Sequence, residues 1–260
     1  MSGERLAIEL LTYNRPDYAA QTLKTTLVNL THDGPVALHI ADDGSPAGQV
    51  SHLVDIARAV CPELAWVSTS NAARRGYGAS HNIATETIHT WADCVLVLED
   101  DWELSRELDT RPIMKVLANG GHQSREEFAY AVPPPDDFYA RSVRLGYLGF
   151  QWPMTAHLFK VDEGLWMALD PESREQHVAA GHPRIETVAY QRDVGPWDEG
   201  INPGATELGW CQRPAARRGV TWPLTLVSLT GSVSGDLYRH IGHVQSYRQS
   251  PIRSPRTPMS

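Results

Sequence analysis

Cys94-Val95-Leu96-Val97-Leu98-Glu99-Asp100-Asp101-Trp102-Glu103 decides how this chain reads. An unbroken apolar run of strand formers ends in three consecutive acids. A run with no polar alternation predicts a strand buried on both faces, with the acids at its carboxyl end. In an open α/β sheet that end borders the crevice where ligands bind. Carboxylates packed together raise one another's pKa unless a cation lies between them. A divalent metal that also holds phosphates would answer the repulsion, because hard cations take carboxylate and phosphoryl oxygens. The same acids would also suit the first turn of a solvated helix. The residues upstream decide between the two.

Strand and helix signals alternate there. Leu6–Leu11 predicts a strand that ends at Thr12-Tyr13-Asn14-Arg15-Pro16, and Pro16 with Asp17 opens a helix. Val36–Ala41 predicts a second strand, stopped by Asp42-Asp43-Gly44-Ser45-Pro46, and a helix over Gln49–Val60 follows. Leu64–Ser68 predicts a third strand. The loop Asn71–Gly78 then leads into a helix carrying Ile83, Ala84, Thr87, Ile88 and Trp91. This alternation implies βαβ units on a parallel sheet. The loops Thr12–Arg15, Asp42–Ser45 and Glu99–Asp101 therefore fall on one crevice edge, where a nucleotide would bind. Asp42 or Asp43 can accept from a base N–H or a ribose hydroxyl, although Asp-Asp-Gly-Ser is equally a good turn. Arg74 and Arg75, before a helix N-terminus, suit a diphosphate. No Walker A loop and no Gly-x-Gly-x-x-Gly after the first strand is present.

The second half is less regular, with Pro133-Pro134-Pro135, a mobile-loop signature at Gly120–Ser124 and a helix expected from Thr206 to Arg218, stopped by Gly219. With 260 residues and 42% hydrophobic content, one domain over 1–245 is expected, followed by a flexible basic tail over 246–260. Three widely spaced cysteines and the absence of a secretory signal point to a reducing, cytoplasmic setting. No stretch approaches the roughly 20 apolar residues of a membrane span. A net charge of −8 gives no global attraction to nucleic acid. The end is different: Arg239, Arg248, Arg253 and Arg256 stand among no acids.

Taken in order, "TYNRP", "ADDGS", "NAARRGYGASHNIA" and "VLEDDWEL" resemble the nucleotide-sugar-binding half of the family 2 glycosyltransferases, over roughly residues 5–105. The resemblance implies the GT-A fold: a mixed, mainly parallel α/β sheet with helices on both faces. It also implies a donor, a nucleotide-diphosphate sugar with UDP favoured, and Mn²⁺ or Mg²⁺ as cofactor. By the same resemblance, Thr12, Tyr13 and Asp42 would contact base and ribose, in loops completed by Asn14, Arg15 and Asp43, with Arg75 near the nucleotide or diphosphate. Asp101 would bind the metal, and Glu99 or Asp100 would hold ribose or sugar hydroxyls. "PWDEGINPGATELGWCQRPAARRGV" is similar to the family's acceptor loop. There Glu207 would be the general base of an inverting enzyme, with Asp198 and Glu199 as competing carboxylates. A late histidine, His240 or His243, would complete the metal shell, and Trp197 would stack on a sugar or base. The acceptor stays open. The arginine-rich end would suit a hydroxylated base in DNA, and a non-catalytic nucleotide-sugar binder is the other alternative.

Overall fold

The computed structural model describes residues 3–119, 142–145, 156–161, 164–169, 183–213, 219–222 and 237–242. Its first half is built of β1 (Leu6–Thr12), α1 (Pro16–Asn29), β2 (Leu30–Thr31), β3 (Val36–Asp42), α2 (Gln49–Val60), β4 (Val67–Asn71), α3 (Tyr77–Ile88) and β5 (Cys94–Glu99). Two short strands, β6 (Trp102–Leu104) and β7 (Leu108–Asp109), then precede α4 (Arg111–Asn119). The remainder comprises β8 (Ser142–Leu145), β9 (Ala156–Val161), β10 (Gly164–Leu169), β11 (Arg184–Thr187), α5 (Val188–Val194), α6 (Pro203–Cys211), β12 (Gly219–Trp222) and β13 (Tyr238–His240).

The main sheet has the order β4-β3-β1-β5-β11-β8-β12-β10-β9. Its first four strands are parallel, and β11 joins β5 antiparallel. Side chains alternate across the pleat, so the apolar strands feed two cores. Leu6, Ile8, Leu10, Leu38, Ile40, Leu96 and Leu98 pack with Leu23 and Leu27 of α1 and Leu53 and Ile56 of α2. Ala7, Leu11, Ala41, Val95 and Val97 pack on the opposite face with Ala84 and Ile88 of α3 and Val188 of α5. Burying a side chain such as Leu6, Ile8 or Leu10 contributes about 1.5–3 kcal/mol each. Helices therefore cover both faces, and the reading of β5 as a doubly buried strand holds.

Register aligns the loops. Thr12 pairs with Asp42, Asp42 with Asn71, and Leu11 with Glu99. The strand ends thus form one line along the carboxyl edge of the sheet.

Three boundaries differ from the sequence expectation. β4 begins at Val67 rather than Leu64 and runs through Ser68, Thr69 and Ser70. It is an edge strand, where polar residues are tolerated and an apolar run is a poor guide. α3 ends at Ile88, and Trp91 lies beyond it. α6 spans Pro203–Cys211 instead of Thr206–Arg218, because Asn202 caps it: its side chain accepts from the Ala205 N–H at 2.9 Å, and Pro203 occupies the first turn. Gly219 opens β12 rather than closing a helix. The expected loop at 120–124, Pro133–Pro135 and the tail at 246–260 lie outside the described residues. All three cysteines are free, and no helix among the described residues is long and apolar enough to cross a membrane.

Candidate active site

The chain leaves β1 through Asn14, which takes a left-handed conformation (φ 51°) and turns it into α1. Asn is one of the few residues that tolerates this. The Asn14 N–H donates to Ser45 Oγ at 2.9 Å. The Thr12 hydroxyl and the Tyr13 N–H donate to Asp100 Oδ2 at 3.0 and 3.2 Å. Arg15 spans the two acids, pairing Nη2 with Asp100 Oδ1 and Nη1 with Asp101 Oδ2, the latter at 2.6 Å. Thr22, two turns along the same face of α1, donates to the Asp100 carbonyl at 2.9 Å. Asp100 is buried, and both its carboxylate oxygens are engaged. It locks the first loop to the acidic one, so it does not face a ribose or sugar hydroxyl as the sequence reading expected. Burial, with Asp101 adding to it, pushes its carboxyl up to about 7 against the pull of Arg15 and Thr12.

Asp101 sits differently. Its Oδ2 takes Arg15 and lies 3.3 Å from His240 Nε2. Its Oδ1 is buried with no hydrogen-bond partner. β13 lies antiparallel on β6, and the Ile241 N–H donates to the Asp101 carbonyl at 2.9 Å. A Cβ on Gly242 would stand only 2.8 Å from Asp101 Cβ, so glycine is what lets the backbone pass. His240 also leans on Trp102, their rings 4.9 Å apart. His243 lies outside the described residues. A buried carboxylate oxygen without a donor is suited to a hard cation. Among the described residues no three His, Cys, Asp or Glu side chains form a ready-made cage. The arrangement therefore fits a divalent ion that takes one or two ligands from the chain and the rest from phosphates, as Mg²⁺ sites commonly do.

The β3 loop is knitted into its surroundings. Asp42 is buried and accepts from the N–H groups of Gly44 and Ser45 and from Asn71 Nδ2, each at 3.0 Å. Its carboxylate shapes the turn. Asp43 accepts from the Gly76 N–H at 2.9 Å and so joins the β3 loop to the start of α3. Burial chiefly, with Asp42 alongside, raises its pKa, and the Gly76 N–H opposes this. Ala73 and Arg74 are both left-handed, which lays the Arg74 guanidinium over the Tyr13 ring at 4.0 Å from its centroid. Arg75 is exposed and pairs with Glu199.

α3 carries the connection to α6. Asn82 clamps the backbone of Trp197 at both ends, accepting from its N–H and donating to its carbonyl, each at 2.9 Å, and donates also to Glu199 Oε1 at 3.0 Å. Trp197 is 3% exposed and stacks on Trp210, ring centroids 4.6 Å apart. It also meets Tyr77 edge-on. Its ring fills the core, so the expectation that it stacks on a ligand is corrected: no face is open. Arg184 lies beneath the two indoles, ion-paired with Glu186 at 2.6 Å. Asp198 is half exposed and held by Arg213 at 3.2 Å. Glu207 lies within electrostatic reach of Glu99. Burial first, then Asp101, Glu207 and Asp100, drive the Glu99 carboxyl well above its ordinary value. Glu99 and Glu207 likewise add to the burial that raises the Tyr77 hydroxyl. Glu99 at the end of β5 and Glu207 of α6 thus lie within electrostatic reach of one another and of Tyr77.

Sequence reasoning missed four contributors: Arg15 as the partner of the acids, Asn82 as a clamp, Gly242, and the pair of Glu9 with His81. Glu9 lies buried in mid β1, with Oε1 2.8 Å from His81 Nδ1. A charged residue inside Leu6–Leu11 was the visible signal for that pair.

No protein-family model and no curated protein matches the chain. Solved structures do. TarS from S. aureus, residues 1–349 in complex with UDP-GlcNAc, superposes with a TM-score of 0.55 at 15% identity, covering 84% of this chain and 56% of that one. The mannosyltransferase PcManGT from Pyrobaculum calidifontis, in complex with GDP-Man and Mn²⁺, gives 0.52 at 14% identity, covering 85% of this chain and 55% of that one. The chain spans little more than half the length of these neighbours, and 35% of TarS in its longer form. Identity this low establishes the fold, and the fold is GT-A.

Proposed function

We propose that the chain is a metal-dependent glycosyltransferase, transferring a sugar from a nucleotide-diphosphate donor, UDP-linked in first preference, to an acceptor hydroxyl with inversion. The observation that carries this reading is Asp101: a buried carboxylate with one oxygen unpartnered, at the sheet edge where three loops converge. Support comes from the fold, shared with proteins solved with UDP-GlcNAc and with GDP-Man and Mn²⁺. The domain would extend over residues 1–245 in a cytoplasmic setting.

Each residue then has a task. Thr12, Tyr13 and the Asp42 turn shape the base and ribose end, with Asp42 acting through the backbone it holds. Asp101, with His240 beside it or with His243, would hold Mn²⁺ or Mg²⁺, which would supply positive charge for the departing diphosphate. Glu99, whose carboxyl is raised by burial and its acidic neighbours, would hold a sugar hydroxyl. Glu207 takes the proton of the acceptor hydroxyl as its oxygen attacks the anomeric carbon and the bond to the diphosphate breaks. Asp198, held by Arg213, and Glu199, held by Asn82 and Arg75, border the acceptor side. Arg239 of the basic end is paired with Glu103, and the other arginines of that end lie outside the described residues.

Two substitutions test the assignment. Asp101→Ala is expected to abolish Mn²⁺-dependent thermal stabilisation by UDP-sugars, and near-wild-type turnover would refute the metal role. Glu207→Gln is expected to keep donor binding while losing about 10²–10⁴-fold in turnover, the usual share of a general base. An active Glu207→Gln enzyme would refute that role.

A further inference from the structure

Arg15 is joined to the very carboxylates that a divalent cation would approach. Its two terminal nitrogens hold Asp100 and Asp101 together, and only 16% of its side chain is exposed. The placement is built in: Asn14 turns the chain into α1, Ala19 bonds back to the Arg15 carbonyl at 3.0 Å, and Thr22 fastens the same helix face to the Asp100 carbonyl. Asp101 Oδ1 alone in this pair of carboxylates has no donor.

We propose that Arg15 is the resident counter-ion of the acidic loop, and that it makes the site select a metal–diphosphate complex over the bare cation. A guanidinium fork matches two carboxylates geometrically and cannot lose its charge. A bare divalent ion arriving at Asp101 Oδ1 meets that fixed positive charge and finds few chain ligands. A metal already carrying a diphosphate brings its own oxygens and enough negative charge to offset the guanidinium. The diphosphate also offers Arg15 a second bidentate partner. Metal and nucleotide therefore bind as one unit, and Arg15 sets that order. The inference rests on the metal-dependent reading above and adds the form in which the metal is taken up.

The test is Mn²⁺ binding, read by the loss of the free-ion electron paramagnetic resonance signal, with and without UDP. Wild type is expected to bind Mn²⁺ alone weakly and Mn²⁺ with UDP far more tightly. Arg15→Gln is expected to bind Mn²⁺ alone at least about tenfold more tightly than wild type, because a unit charge a few ångströms away outweighs that factor. It should also lose most of the advantage that UDP confers. Arg15→Lys keeps the charge and should stay near wild type for Mn²⁺ alone, while losing part of the UDP advantage with the fork. Wild-type Mn²⁺ affinity in Arg15→Gln would overturn the inference. Should that variant not fold, the wild-type Arg15 Nε–H resonance serves, assigned by its loss in Arg15→Lys. It is expected to shift when UDP and Mg²⁺ are added together and to stay in place with Mg²⁺ alone; a shift with Mg²⁺ alone overturns the inference. Absence of any Mn²⁺-dependent UDP binding in wild type would instead strike down the proposed function itself.

Discussion

Replacing Asn82 with Ala removes three hydrogen bonds in one step, and the structure says what each loss leaves behind. The Trp197 N–H and carbonyl, each paired with Asn82 at 2.9 Å, belong to a residue that is 3% exposed. A buried donor or acceptor left unpaired costs about 1–3 kcal/mol, so the two together should cost roughly 2–4 kcal/mol once some relaxation is allowed. The third bond, to Glu199, lies at the surface and adds little. For a domain of this size the loss corresponds to a fall in Tm on the order of 5–10 °C. Urea unfolding followed by tryptophan fluorescence measures it directly. Asn82→Asp sharpens the test: it can still accept from the Trp197 N–H but cannot donate to the carbonyl, and it sets a negative charge beside Glu199. It should be at least as destabilised as the alanine variant. A loss below about 0.5 kcal/mol in Asn82→Ala would refute the reasoning, since that is the range of neutral surface changes.

Other outcomes follow from the acidic loop. Gly242→Ala forces a Cβ to within 2.8 Å of Asp101 Cβ, so Asp101 must move. Titration calorimetry should show metal–nucleotide binding weakened by more than about tenfold, at a displacement cost of over 1.4 kcal/mol, with the far-ultraviolet spectrum unchanged. Because Asp100 is raised to about 7 in the fold, the folded state holds a proton that the unfolded chain has released. Its contribution to stability is present below its unfolded value near 4 and is lost as pH rises towards 7. Without metal, the Tm of wild type should therefore decline more steeply over that window than the Tm of Asp100→Asn, and parallel profiles would contradict it. Burial lowers the pKa of His39, so its contribution has the opposite sign, full above about pH 6.5 and lost on acidification. Thermal melts of His39→Gln should be correspondingly less acid-sensitive than wild type.

The first hundred residues were legible because parallel strands buried on both faces leave a physical trace in sequence. Cys94–Glu99 and Val36–Asp42 are apolar at both parities, and Gln49–Val60 keeps a helical stripe to its ends. β4 departs from its apolar run because an edge strand can be polar, and α6 starts ahead of Thr206 because Asn202 caps it. β9 and β10 form a local hairpin, but β8 pairs with β11 and β12, and β12 with β10, across long separations, so that ladder is not written in any local run. In the site, residue types revealed which side chains were acidic but not which way they faced. Asp100 turns inward to Arg15 and Thr12 while its neighbour Asp101 keeps an oxygen open, a difference of one residue that only the turn geometry decides. Trp197 stands in a loop but is stacked in the core, for the same reason.

The pairing of β13 with β6 places a constraint on the order of assembly. Tyr238 lies opposite Leu104, so the strand that seats His240 and Gly242 beside Asp101 comes from far along the chain. During synthesis the first five strands can collapse on α1, α2 and α3 while that partner has not yet been made. The acidic loop must spend this interval with Arg15 as its counter-charge and without β13 against it. A nascent chain halted before residue 237 would thus hold the first parallel strands without the backbone bond from Ile241 to Asp101, so under the proposed function competence for a donor would arrive among the last events of folding.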